Sequence, residues 1–171
     1  MFRFVKRYFC GCLLFEKRNK ERKISVSHLQ NVEWNGTLPF VPPVTRGKVI
    51  KVYDGDTITI ASKLPYRSSP IYRFSVRLRG IDSPEIKGST EVEKELALYS
   101  KKCLSNMILG QIVELKNIST EKYGRILADV YLDNININHW MVGNKLAVPY
   151  EGGTKCRPKE WDYSSSSSDS E

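Results

Sequence analysis

The chain has 171 residues and a mass of 19.6 kDa, which is room for one domain with tails. Hydrophobic residues make up 40% and charged residues 27%, enough for a core and a solvated surface, and no apolar run approaches the ~20 residues of a membrane-spanning helix. Against 19 Asp and Glu stand 27 Lys and Arg, and the net charge of +8 suits a polyanion, either nucleic acid or an anionic membrane.

The N-terminal segment, residues 1–23, mixes Phe2, Phe4, Phe9, Leu13 and Phe15 with Arg3, Lys6, Arg7, Lys17 and Arg18. Its apolar run is too short to span a bilayer. It reads either as a membrane-surface anchor, with Cys10 and Cys12 as candidate lipidation sites, or as a basic-apolar arm. Residues 24–45 read as a linker broken by Asn35-Gly36, Pro39, Pro42 and Pro43. Residues 1–51 carry a charge of +8, residues 52–150 only +2 and residues 151–171 −2, so the folded part is nearly neutral. Its function therefore has to be argued from particular residues.

From Gly47 the pattern turns to strands. Lys48 to Tyr53, the alternating Thr57 to Ile60, and Ile71 to Leu78 read as three of them, with a Pro/Ser loop over 64–70. Helical spacing predicts a helix over 91–109, with Val92, Leu96, Leu98, Tyr99, Cys103, Leu104, Met107 and Ile108 as its apolar positions and Gly110 as its stop. Gln111 to Leu115 and Ile126 to Leu132 read as further strands, and Ile135 to Val142 as a short helix. The count fits a mostly β, α+β domain over 46–163: a five-stranded barrel of oligonucleotide-binding type with two or more packed helices. Residues 164–171, five serines and then Asp-Ser-Glu, cannot build a core. Four scattered cysteines and two histidines suit neither a disulfide scaffold nor a two-histidine mechanism. The expectation is an intracellular, monomeric protein with reduced thiols and no stable protein partner.

Three polar segments fall at predicted strand ends: Asp54-Gly55-Asp56-Thr57, Arg77-Leu78-Arg79-Gly80-Ile81-Asp82-Ser83-Pro84-Glu85, and Lys122-Tyr123-Gly124-Arg125. Separately each reads as a turn or a helix start. In this order, with a helix between the last two, they resemble the thermonuclease family, the staphylococcal-nuclease-like nucleases, from about Gly47 to about Tyr150. The resemblance implies a five-stranded barrel and a calcium-dependent phosphodiesterase acting on DNA, RNA or both and leaving 3′-phosphate ends. It implies metal binding by Asp56, Asp82 and the backbone carbonyl of Ser83, where the family usually has Thr. It implies catalysis by Glu85 and phosphate contacts by Arg77 and Arg125. Lys122, Tyr123 and Tyr150 are expected at the substrate, Tyr150 only if a one-residue gap is allowed. Asp54 is expected in the turn, outside the direct ligands.

The residue types suit that chemistry. Calcium takes hard oxygen ligands, a carboxylate can orient or deprotonate water, and the arginine fork matches phosphate oxygens. A catalytically inactive barrel that binds nucleic acid or protein is the alternative, and such a copy is expected to lack some of these five charged side chains. The resemblance also implies a long C-terminal helix over the barrel; with 21 residues after Tyr150, a shorter cover involving Trp161 and Tyr163 is the expectation.

Overall fold

Alternation in the sequence becomes alternation of burial in the computed structural model, which describes residues 27–88 and 90–153. The arm over 1–23, with Cys10 and Cys12, the residues Trp161 and Tyr163, and the tail over 164–171 lie outside the described residues. The chain divides into two compact units, Met1–Leu38 and Pro39–Glu171. In the first, the described residues form two short 3-10 turns, Ser27–Leu29 and Trp34–Gly36.

The second unit holds the barrel. Its elements run β1 (Arg46–Val52), β2 (Thr57–Lys63), β3 (Ile71–Leu78), β4 (Ile81–Asp82), α1 (Glu91–Ile108), β5 (Ile112–Thr120), β6 (Ile126–Leu132), β7 (Ile135–Asn136), α2 (Ile137–Gly143) and β8 (Val148–Pro149). Strands β1, β2 and β3 form an antiparallel meander, β1 also pairs β5, and β5 pairs β6. A parallel pairing of β3 with β6, Val76 opposite Ile126 and Arg77 opposite Leu127, closes five strands into a mixed barrel. Val49, Ile58, Ile60, Val76, Val113, Ile126 and Val130 point inward and are fully or almost fully buried. Val44, in the expected lead-in, is also part of this core.

Helix α1 starts where the Thr90 side chain accepts from the Glu93 amide at 3.2 Å, and it ends before Gly110, whose φ of +82° favours glycine. Ala97, Ser100, Leu104 and Ile108 form its buried face at three- and four-residue spacing. Leu98 and Tyr99, expected on that face, are exposed, because the helix turns them away from the barrel. Strand β5 runs five residues beyond its expected end at Leu115. A register shift between Lys116 and Ser119, with Asn117 at φ +51°, interrupts the alternation that marks its first half. The region expected as one helix over 135–142 begins as the two-residue strand β7. Among the described residues no helix is long and apolar enough to cross a membrane.

Candidate nuclease site

The β1–β2 turn places the first acidic residues. Asp54 Oδ1 accepts from the Asp56 amide at 3.1 Å, and the Tyr53 amide donates to the Thr57 carbonyl at 2.8 Å. Gly55 reads in the sequence as a turn glycine, but what it meets here is a close approach. A Cβ at this position would run into Ser100 Oγ and the Ser83 side chain. The turn is thereby pressed against α1 and the β4 segment, which brings Asp56 to Ser83. The Ser83 amide donates to Asp56 Oδ2 at 3.0 Å, and Thr57 Oγ1 donates to Asp56 Oδ1 at 2.9 Å.

Arg77 lies opposite Thr57 across β2–β3, and its side chain is almost fully buried. Its Nη1 is 2.6 Å from Asp56 Oδ1, its Nη2 3.1 Å from Asp82 Oδ1, and its Nε 3.7 Å from Glu121 Oε1. Nη2 also donates to the Ile81 carbonyl at 3.2 Å. The other Glu121 oxygen is 2.8 Å from Arg125 Nη2. One carboxylate therefore links the two arginines, one from β3 and one just ahead of β6. Glu121 carries no motif signal. It is a lone acid in a polar run, and only the barrel seam brings it to Arg77.

These groups face a cleft of about 310 Å³ whose walls include Tyr53, Asp54, Asp56, Arg77, Glu85 and Arg125. Burial, reinforced by the neighbouring Asp56 charge, pushes the Asp54 carboxyl up to about 6. Burial acts in the same direction on Asp56, but the Arg77 guanidinium outweighs it and holds that carboxyl below the usual range. Desolvation likewise works against the Arg77 charge, and Asp56, Asp82 and Glu121 more than restore it.

Glu85 is exposed in the cleft wall, on a loop tied back to α1. Its amide donates to Glu93 Oε1 at 3.4 Å, and a Cβ on Gly88 would collide with the same buried carboxylate. Tyr150 reaches the cleft because β8 pairs with β4 (Ile81 opposite Pro149) and the Tyr150 amide donates to the Gly80 carbonyl at 2.9 Å. Its hydroxyl donates to the Gly153 carbonyl at 2.8 Å. Tyr123 is not in the cleft wall. It is 94% exposed at φ +67°, on the Lys122–Gly124 turn. The Lys122 side chain lies outside the described residues. Sequence reasoning missed Tyr53, Glu121, Glu93 and Lys87, of which Tyr53, Glu121 and Lys87 line the cleft.

The donors suit a hard divalent cation. Asp54, Asp56, Glu85 and Glu121 in the cleft wall outnumber Arg77, Arg125 and Lys87, and Asp82 adds another carboxylate on Arg77. Oxygen ligands of this kind are what calcium takes. Among the described residues, however, no three carboxylates, histidines or cysteines form a ready-made metal cluster, because Arg77 lies between Asp56 and Asp82.

The family described as staphylococcal nuclease homologue matches residues 75–169, more than half of the chain. An uncharacterized endonuclease of Escherichia coli is 32% identical over 108 residues, covering 61% of each chain. One of Haemophilus influenzae is 36% identical over 104 residues, 61% of this chain and 52% of that one. A probable endonuclease of Schizosaccharomyces pombe is 34% identical over 96 residues, 51% of this chain and 42% of its own. The chain thus spans about three fifths or less of the length of these relatives. With the barrel, the acidic cleft and these matches in agreement, the chain belongs to the staphylococcal nuclease family.

Proposed function

We propose that this chain is a calcium-dependent nuclease that hydrolyses phosphodiester bonds of DNA, and of RNA as well, leaving 3′-phosphate ends. The observation that carries this reading is the convergence of Arg77 and Arg125, from different strands, on one carboxylate beside the Glu85 and Asp56 wall of a single cleft. Asp56, Asp82 and the Ser83 carbonyl would hold the calcium, which when bound supplies positive charge to the phosphate.

The remaining work falls to side chains. Glu85 orients a water and takes its proton as the water oxygen bonds to phosphorus. The bond from phosphorus to the 5′ oxygen breaks, that oxygen takes a proton from solvent water as it leaves, and Glu85 returns its own proton to solvent. Arg77 and Arg125 meet the equatorial oxygens as charge builds there, where each fixed donor is typically worth a few kcal/mol. Tyr53 and Tyr150 offer aromatic surface to the nucleotide from the cleft wall.

The deciding experiment digests end-labelled single- and double-stranded DNA and RNA with the full chain, in calcium and in excess chelator, and identifies the ends. Cleavage in calcium alone, with 3′-phosphate products, is expected. Glu85→Gln is expected to bind a nucleoside bisphosphate and to lose at least ~10²-fold in kcat. Undiminished hydrolysis in chelator would overturn the metal assignment. Wild-type protein that binds strands and cuts none would make it an inactive binding module.

A further inference from the structure

The described residues of the first unit, 27–38, keep their large apolar side chains in solvent. Leu29 and Val32 are about half exposed, Trp34 is 89% exposed and Leu38 is 93% exposed. Apolar side chains exposed singly are ordinary, but a tryptophan, two leucines and a valine so close together mark an interaction site.

The backbone of this stretch is suited to leaving bulk water. The Val32 amide donates to the Leu29 carbonyl at 3.2 Å, and the Gly36 amide donates to the Glu33 carbonyl at 2.9 Å. The Trp34 carbonyl accepts twice, from the Thr37 amide at 3.2 Å and from Thr37 Oγ1 at 2.8 Å. Polar backbone groups that lose water need other partners. The turn that carries Trp34 supplies them from its own residues.

Composition selects the occupant. Residues 27–38 contain no Lys or Arg and a single acid, Glu33, so the patch has no cation to offer a nucleic-acid phosphate. The cations come just before it in the chain. Lys17, Arg18, Lys20, Arg22 and Lys23 stand against Glu21 alone in the stretch 17–23. A basic run followed by exposed Trp and Leu is the composition of a segment that lies on a membrane: cations are drawn to anionic headgroups, and tryptophan favours the boundary between headgroups and acyl chains. A second copy of the chain is the poorer occupant, because four side chains fall short of the ~800 Å² that each partner of a stable interface contributes.

We propose that residues 27–38 rest on an anionic membrane surface, with Trp34 and Leu38 entering the headgroup boundary. The proposal is independent of the nuclease reading. Stable membrane attachment generally takes two signals, and this patch is a second one beside the basic-apolar sequence of residues 1–23.

The test uses the full chain as wild type, Trp34→Ser/Leu38→Ser, Trp34→Ser and Trp34→Phe. Each is sedimented with phosphatidylcholine vesicles, with and without phosphatidylserine, and its tryptophan fluorescence is followed on vesicles of bromine-labelled lipid. Wild type is expected to bind only vesicles that contain phosphatidylserine, and less well as salt rises. The double variant is expected to partition roughly 10²-fold more weakly and Trp34→Ser about tenfold, in proportion to the apolar area no longer withdrawn from water. Trp34→Phe is expected to bind within about threefold of wild type and to lose most of the quenching, although Trp140 and Trp161 remain. Melting temperature, and cleavage of short DNA without vesicles, are expected to match wild type in every variant, since the substituted side chains are exposed. Undiminished vesicle binding by the double variant would overturn the proposal, as would quenching that survives Trp34→Phe. A lower melting temperature in the double variant would mean that these side chains pack on protein, and would overturn it too. Wild type that ignores anionic vesicles would do the same, and a dimer that the double variant dissociates would then assign the patch to a second copy. Wild type that binds vesicles through Trp34 and cuts no DNA would sink the nuclease reading and leave the membrane contact standing.

Discussion

Arg77 and Arg125 look equivalent as motif residues, yet their surroundings assign them different costs of removal. Arg77 is almost fully buried against two carboxylates that are themselves buried. Arg77→Ala strands both, and breaking buried pairs of this kind typically costs about 3–5 kcal/mol. Arg125 is one third exposed, and its pair with Glu121 belongs to a class worth about 1 kcal/mol or less. Urea denaturation in chelator is therefore expected to show a large loss for Arg77→Ala and a small one for Arg125→Ala, while both lower kcat by about 10²-fold in calcium. Equal stability losses would contradict the burial argument. Glu121→Gln separates two effects that a motif cannot. Loss of its charge leaves both arginines more attractive to phosphate, and loss of the bridge leaves them less well aimed. Tighter binding of a nucleoside bisphosphate together with a kcat lower by about tenfold is the expected pair of outcomes. Tyr123 carries a third residue-scale prediction. At φ +67° it pays a left-handed backbone cost of roughly 1–2 kcal/mol and buries almost nothing in return. Tyr123→Gly is expected to raise the thermal midpoint, and an unchanged or lower midpoint would show that the ring is packed in solution.

At the scale of elements, α1 does more than cover the barrel. Its first turn carries Glu93, only 3% exposed, and that carboxylate receives the Glu85 amide and occupies the space beside Gly88. The helix start thus sets the course of the loop that presents Glu85. Glu93→Ala is expected to lower kcat through loss of that course while leaving calcium affinity within a few-fold. Faster amide exchange confined to residues 84–88 and the first turn of α1 would accompany it. Exchange that quickens across the whole barrel would mean that Glu93 is simply core. Much of this level was legible. Thr57 to Ile60 and Ile126 to Leu132 alternate cleanly, and α1 ends at a glycine as read. What could not be read depends on partners far along the chain. Strands β4 and β8 are two residues each and exist only because they pair with one another. Glu93 sits three residues after Thr90, a spacing that reads as an ordinary helix cap, and nothing local says that its carboxylate turns toward Glu85. Asp56, Arg77, Asp82, Glu85 and Arg125 stand out in the sequence because they lie in ordered motifs, whereas Glu121 has no such context.

For the molecule as a whole, charge is distributed by segment, with the basic excess before residue 52 and an acidic excess after residue 150. Deleting 164–171 is expected to leave the melting temperature unchanged, since a run of serines with Asp169 and Glu171 has nothing to bury. A drop of several degrees would assign the tail to the fold. The barrel seam has a consequence of another kind. Val76 and Ile126 are about 50 positions apart, and their pairing is what brings Arg77 beside Glu121 and Arg125. Contacts of such long range pay their loop-closure entropy late in folding. In a chain whose seam is still open, Arg77 has nothing to bring it beside Glu121 and Arg125. The phosphate grip proposed for these two arginines would thus exist only in chains whose seam has closed.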